Sequence, residues 1–148
     1  MECKQIVFTE INKAELLTAE VNEPAANEVM VETKVSTISC GTERANITGD
    51  PNVNACGASG VVFPRIPGYS SAGIVVKKGA DVTSVDIGDR VVVTWGCHKS
   101  YNIVPEENVV KIDDDSVSFE TAAMSLISTF SMAAIRKTRL EMGESAIV

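Results

Sequence analysis

Pro67-Gly68-Tyr69-Ser70-Ser71-Ala72-Gly73-Ile74-Val75 decides how this chain is read, flanked by Cys40-Gly41-Thr42-Glu43 before it and Gly88-Asp89-Arg90-Val91 after it. The central stretch opens a strand over 72–77, and further strands are expected over 90–95, 100–104 and 109–112. Lys78-Gly79-Ala80-Asp81 and Asp86-Ile87-Gly88-Asp89 supply the glycines that tight turns need at positive φ. Several short strands with no helix between them imply a mainly β domain, a small barrel or sandwich.

Upstream, the apolar stretches 5–9 and 14–21 flank Asn12-Lys13 and read as a hairpin. From Glu28 to Ser39, Val29, Val31, Thr33 and Val35 alternate with Glu28, Met30, Glu32 and Lys34, the period of a half-buried strand. Residues 46–67 are rich in Asn, Gly and Pro and read as a long loop. From Phe119 the period changes. Phe119, Ala122, Ala123, Leu126, Phe130 and Ala133 fall at three- and four-residue spacing, which predicts one helix with a buried face. Ser118 suits its N-cap, Glu120 its first turn, and Arg136, Lys137 and Arg139 its negative end. Gly143-Glu144 breaks it, and 145–148 reads as the start of another strand.

The 148 residues are of ordinary globular composition, 45% hydrophobic and 22% charged, with a formal charge of −7. An acidic chain without a basic cluster lacks the footprint of a nucleic-acid binder. No apolar run approaches the roughly 20 residues that span a bilayer, and no signal-peptide pattern opens the chain. The expected address is cytoplasmic. Cys3, Cys40, Cys56 and Cys97 form no Cys-x-x-Cys pair. Buried free thiols are expected at Cys3 and Cys97, and an exposed one at Cys56.

The three ordered blocks, with Ser-Phe-Glu-Thr-Ala-Ala opening the helix, resemble the medium-chain dehydrogenase/reductase superfamily of zinc alcohol dehydrogenases and quinone oxidoreductases. The resemblance covers the whole chain but only the catalytic half of that two-domain plan. It implies a GroES-like distorted β-barrel over 1–117, a linking helix over 118–142, and over 143–148 the first strand of a Rossmann domain. No Gly-x-Gly-x-x-Gly occurs in the chain. A terminal strand with no sheet to join leaves its edges unpaired, so the chain is expected to be the catalytic part of a longer NAD- or NADP-dependent oxidoreductase. That enzyme would act on a small alcohol or carbonyl compound, with a C-terminal Rossmann domain to bind the nucleotide, and as a homo-oligomer. A co-chaperonin-like or non-catalytic binding module is the competing expectation, because GroES shares the barrel.

By the same resemblance, Cys40 matches the first catalytic zinc ligand, but Tyr69 and Ser70 stand where His and Glu belong, and the third ligand position falls near Ser125. Neutral hydroxyls are poor substitutes for imidazole at about 2 Å from Zn²⁺. No catalytic or structural zinc is therefore expected, and Cys40 is expected as a thiol packed beneath the cleft. Thr42 matches a hydroxyl that bonds the reacting oxygen and touches the cofactor; the plainer reading is a Thr capping a turn. Glu43 either pairs with Arg44 or poises a proton in the cleft. Thr129 matches a nicotinamide contact, or closes helix-to-barrel packing. His98 is the only histidine, a turn residue or, facing the cleft, a proton donor. Trp95 is core or cleft wall, and Tyr69 either donates to the substrate oxygen or fills the zinc void. Thr42, Tyr69 and His98 are expected to converge on one cleft.

The chain is expected to fold without binding NADH or NADPH, since it has no phosphate-cradling glycines. Calorimetric titration should show no heat of binding, and micromolar affinity would contradict this reading.

Overall fold

A computed structural model describes residues 1–53, 61–139, 141 and 143–145. Strands β1 (Glu2–Glu10) and β2 (Lys13–Glu20) form the expected antiparallel hairpin, paired from Glu2–Glu20 to Glu10–Lys13. Its turn places Asn12 at φ 61°, a left-handed conformation that asparagine tolerates better than most residues. The hairpin is fastened to the body by isolated bridges from Gln5 to Lys99 and from Phe8 to Arg65.

The body is a curled antiparallel sheet in the order β6-β3-β4-β5-β7. Its strands are β3 (Glu28–Ser36), β4 (Ser70–Lys78), β5 (Arg90–Thr94), β6 (Tyr101–Pro105) and β7 (Val109–Lys111). The four later strands follow the expected positions within two residues. One face carries a core built entirely of valine: Val29, Val31, Val75, Val82, Val85, Val91, Val93, Val104 and Val109. Branched at Cβ, valine stands stiffly on a pleated surface and fills a small barrel without rotamer choice. On the opposite face Ala72 and Val92 pack against Ala122 and Ala123.

Strand β3 departs from its expected half-burial. Val29, Met30 and Val31 are all buried, so its first half is covered on both faces. An alternation of polar and apolar residues reports one covered face; the second cover comes from segments distant in sequence. Gly73 lies in β4 opposite Thr33 of β3, and a Cβ there would land on the Glu32 carbonyl oxygen.

Helices hold the largest corrections. Residues Cys40–Thr48 form helix α1, inside a stretch read as strand end and loop. Gly49 ends it at φ 68°, its N–H reaching back to the carbonyls of Ala45 and Asn46. The single helix expected after Ser118 is two: α2 (Phe119–Ala123) and α3 (Ser125–Thr138). Ser118 is the N-cap, accepting from the Thr121 N–H at 3.2 Å. Backbone hydrogen bonding, helped by Ser118, holds the Glu120 carboxyl below its ordinary range.

The break has a visible cause. The Ala123 carbonyl accepts from Ser70 Oγ of β4 at 2.6 Å and from Thr37 Oγ1, just past β3, at 2.8 Å, so these hydroxyls anchor the end of α2. Arg90 anchors its start, with the guanidinium 4.9 Å over the Phe119 ring and bonded to the Val117 carbonyl. Helix α3 buries no residue, and Phe130 is 58% exposed. The expected buried stripe is therefore real as a pattern, but beyond Ala123 it is half-covered at Leu126 and exposed at Phe130 and Ala133. A helical period shows that a face is apolar, not what lies against it. Arg136 and Lys137 do occupy the last turn. The helix ends at Thr138, before the expected Gly143. Of the strand expected over 145–148, Ser145 belongs to no strand, and 146–148 lie outside the described residues, as does 54–60 of the expected loop.

Replacing Gly73 with alanine should lower unfolding free energy by about 1–3 kcal/mol, the usual cost of overpacking a filled site. A urea titration measures it; an unchanged midpoint would show that β3 and β4 can separate freely.

Candidate functional site

Helix α1 presents Thr42, Glu43 and Asn46 toward the segment Arg65–Tyr69 and toward Trp95, enclosing a cleft of about 240 Å³. Residues three and four apart share a helix face, which places these three side chains together. The opposite wall depends on Gly68. It sits at φ 107°, and a Cβ would come within 2.6 Å of the His98 nitrogen. Only glycine lets the Pro67-Gly68 turn lie this close, and the His98 N–H donates to the Pro67 carbonyl at 2.9 Å. The turn delivers Tyr69 to the cleft. Trp95 joins it at the rim, 68% exposed at φ 61°, with ring centroids 6.4 Å apart.

Within the cleft, Ser39 Oγ donates to Thr42 Oγ1 at 3.2 Å. Because Thr42 accepts there, its own O–H is free to donate elsewhere. Asn46 Nδ2 donates to the Thr42 carbonyl at 2.8 Å. Glu43, 8% exposed, lies on the wall with Oε1 3.5 Å from His98 Nε2. His98 is 7% exposed, and its Nδ1 is 2.9 Å from Ser36 Oγ. Glu43 Oε2 and Asn46 Oδ1 are buried without a hydrogen-bond partner. Thr9 Oγ1, Ser71 Oγ and His98 Nε2, on residues that do not line the cleft, are unpartnered too, so this property alone does not mark a site.

The curled β-domain that carries this cleft has known counterparts. Residues 25–114 match the family model "Alcohol dehydrogenase GroES-like domain". The chain belongs to that family, within the medium-chain dehydrogenase/reductase superfamily. A relative of the GroES-like domain is found in 2-desacetyl-2-hydroxyethyl bacteriochlorophyllide A dehydrogenase of Cereibacter sphaeroides. It is 32% identical over 130 residues, 77% of this chain and 39% of that enzyme. The structure of Escherichia coli quinone oxidoreductase complexed with NADPH superposes with a TM-score of 0.74 at 25% identity, covering 91% of this chain and 41% of the other. Coxiella burnetii quinone oxidoreductase shares the fold, with a TM-score of 0.80 at 19% identity, over 97% of this chain and 47% of the other. The chain thus spans less than half the length of these relatives.

Of the residues singled out in this GroES-like domain, Thr42, Glu43 and Tyr69 line one cleft. His98 is not on its wall. It stands behind Glu43, reached through that carboxylate, and Glu43 faces it rather than pairing with Arg44. Trp95 is rim, not core. Thr129 lies exposed on α3, its hydroxyl donating to the Leu126 carbonyl at 2.6 Å, and does not line the cleft. Cys40 is exposed at the start of α1 instead of packed beneath the cleft. Ser70 spends its hydroxyl on Ala123, and Ser125 is exposed. Among the described residues, no three or more His, Cys, Asp or Glu side chains group as metal ligands. Cys3 is buried as expected; Cys97 is half-buried, and burial pushes its thiol up, away from reactivity. Cys56 lies outside the described residues. Asn46, Ser36 and Arg65 were not foreseen. A helix over Cys40–Thr48 would have pointed to Asn46, one turn beyond Glu43.

The Glu43–His98 contact should be energetically coupled. A double-mutant cycle with Glu43→Gln and His98→Asn, read by denaturant unfolding, is expected to show at least about 0.5 kcal/mol of interaction. Strict additivity would mean that the two groups are merely neighbours.

Proposed function

We propose that this domain is the substrate-side half of a zinc-independent, NAD(P)-dependent oxidoreductase that interconverts an alcohol and its carbonyl. The observation that carries the reading is that two hydroxyl residues line one cleft from opposite walls, Thr42 with its proton left free by Ser39, and Tyr69. Donors aimed at an oxygen stabilise the negative charge it develops as hydride leaves or arrives, and one such donor is worth about 3–4 kcal/mol. The donor set does not fit zinc: Ser70 is committed to Ala123, Cys40 is exposed, and Tyr69 offers a phenol where a metal needs imidazole or carboxylate.

Residues to hold a dinucleotide's phosphates are not in this chain, which has no Gly-x-Gly-x-x-Gly. Nicotinamide, where bound, supplies or accepts the hydride. The side chains of this domain manage the oxygen and its proton. Thr42 and Tyr69 hold the substrate oxygen. Glu43, at the wall, takes up the hydroxyl proton; His98 Nε2 lies 3.5 Å behind it as a second titratable group, without a hydrogen bond to it, while Ser36 holds the far side of the imidazole. A second titratable group behind the first lets the proton leave the reacting centre without crossing the substrate.

Tyr69→Phe in the full-length protein should slow hydride transfer at least tenfold, since about 1.4 kcal/mol of lost stabilisation is a factor of ten. Stopped-flow absorbance of the nicotinamide measures it. An unchanged rate would reduce Tyr69 to a packing residue.

A further inference from the structure

Strand β6 lies at one end of the five-stranded sheet, and its outer edge is only partly covered. It runs antiparallel to β3 with Met30 opposite Ile103. In that same register the Thr33 N–H reaches the Ser100 carbonyl at 2.9 Å, and the Glu106 N–H reaches the Asn27 carbonyl at 3.0 Å. Bonded and non-bonded pairs alternate along such a ladder. Asn102 and Val104 therefore turn their backbone groups to β3, while Tyr101, Ile103 and Pro105 turn theirs outward. Strand β1 covers only the approach to this edge: the Ile6 N–H bonds the His98 carbonyl at 3.0 Å, and the Ser100 N–H bonds the Lys4 carbonyl at 2.8 Å. Beyond Lys4 the contact passes to a side chain, the Cys3 thiol 3.6 Å from the Tyr101 carbonyl. Among the described residues, no backbone group of another segment takes up the Ile103 N–H or C=O.

The space left there is a cavity of about 260 Å³ between the end of the β1–β2 hairpin and β6. Four consecutive residues, Tyr101 to Val104, line it, so it follows the edge of the strand rather than one face. Gln5 and Lys99, opposite each other in an isolated bridge, line it where β1 departs. Lys99 makes no ion pair among the described residues. Glu20 also belongs to the lining, but it follows Ala19 along β2 and so lies on the other face of that strand, exposed. The cavity shares only Trp95 with the α1 cleft and is a separate place on the domain.

We infer that this edge binds the carboxyl-terminal end of an extended polypeptide, which adds to β6 as an antiparallel strand. Such a strand runs from Val104 toward Lys99, so its terminal carboxylate arrives at the unpaired ammonium. Ile103 supplies both backbone bonds of one closely spaced pair; in strand addition the main chain gives affinity and pockets for side chains give selectivity. Cys3, Ala19 and Val21 offer a small, largely apolar wall to the last side chain. The cavity is smaller than the roughly 300–1,000 Å³ of small-molecule clefts, a size that suits one or two residues at a chain end. Pro105 has no N–H to give, which ends the edge and limits the site to that one register.

The test titrates N-acetyl-alanyl-alanyl-valine, with its free carboxylate, and the same peptide as its carboxyl-terminal amide into the 148-residue chain. Binding is read from the Ile103 amide resonance and from the fluorescence of Trp95, the one tryptophan, which lines the cavity. The acid should bind at least about tenfold more tightly than the amide, as a charge-assisted hydrogen bond implies, and should shift the Ile103 amide proton downfield. In Lys99→Met the two peptides should bind alike. Ile103→Pro removes the outward N–H and leaves the ladder bonds of Asn102 and Val104, and it should weaken the acid at least about tenfold. A peptide methylated on its backbone nitrogens should lose affinity for the native chain to a similar extent, a result that no folding defect can imitate. No binding of the acid at about 10 mM, equal affinity of acid and amide, or undiminished binding of the methylated peptide would overturn the inference. A dimer in sedimentation velocity that Ile103→Pro dissociates would assign the edge to a second copy of the chain and overturn it as well.

Discussion

His98 ties together the segments that make the cleft, and the rest of the site depends on it. Its carbonyl accepts from the Ile6 N–H at 3.0 Å and its N–H donates to the Pro67 carbonyl at 2.9 Å. Its ring lies between Ser36 at the end of β3 and Glu43 on α1. Four stretches far apart in sequence, β1, β3, α1 and the Pro67-Gly68 turn, thus meet at one buried residue. The missing Cβ of Gly68 is what allows the approach. Such a hub is costly to disturb because each polar atom released would be buried without a partner. It also accounts for the place of the histidine behind Glu43 and off the cleft wall: its backbone is committed to the barrel.

The sheet was legible because its information is local. Strands β4 to β7 follow from β-branched runs punctuated by glycine, and the β1–β2 turn from Asn12-Lys13. Helix α1 was not legible. Cys40-Gly41-Thr42-Glu43-Arg44-Ala45-Asn46 has little apolar periodicity, so the usual helical signal is weak; what remains is Gly49, the left-handed terminator. Missing that helix hid Asn46. The continuous helix expected after Ser118 failed for the opposite reason. Its period was strong, but the interruption comes from the hydroxyls of Thr37, just past β3, and Ser70 of β4, which no reading of 119–139 contains.

That same Ser70 shows how a signature block can change its work without changing its place. In the superfamily resemblance it stands beside the ligand position; here it is buried and anchors the end of α2. Arg90 of Gly88-Asp89-Arg90-Val91 likewise holds the entry to α2 through Val117 and Phe119. Two of the three blocks thus fasten the helical segment to the barrel. Thr42, Glu43 and Tyr69 line the cleft, and the proposed function assigns its chemistry to them. Hydrogen-bond donors and acceptors are held at fixed positions there by neighbours that are themselves tied down, as electrostatic stabilisation requires.

The most direct test of a cleft that works through hydroxyl groups is its metal content. The purified chain would be equilibrated with zinc, dialysed, and assayed by inductively coupled plasma mass spectrometry beside a Cys40→Ser variant. Fewer than about one zinc per ten chains, equal in both proteins, is the expected result for a site lacking the three protein ligands that catalytic zinc uses. One zinc per chain, lost in Cys40→Ser, would contradict it and return the oxygen chemistry to a metal.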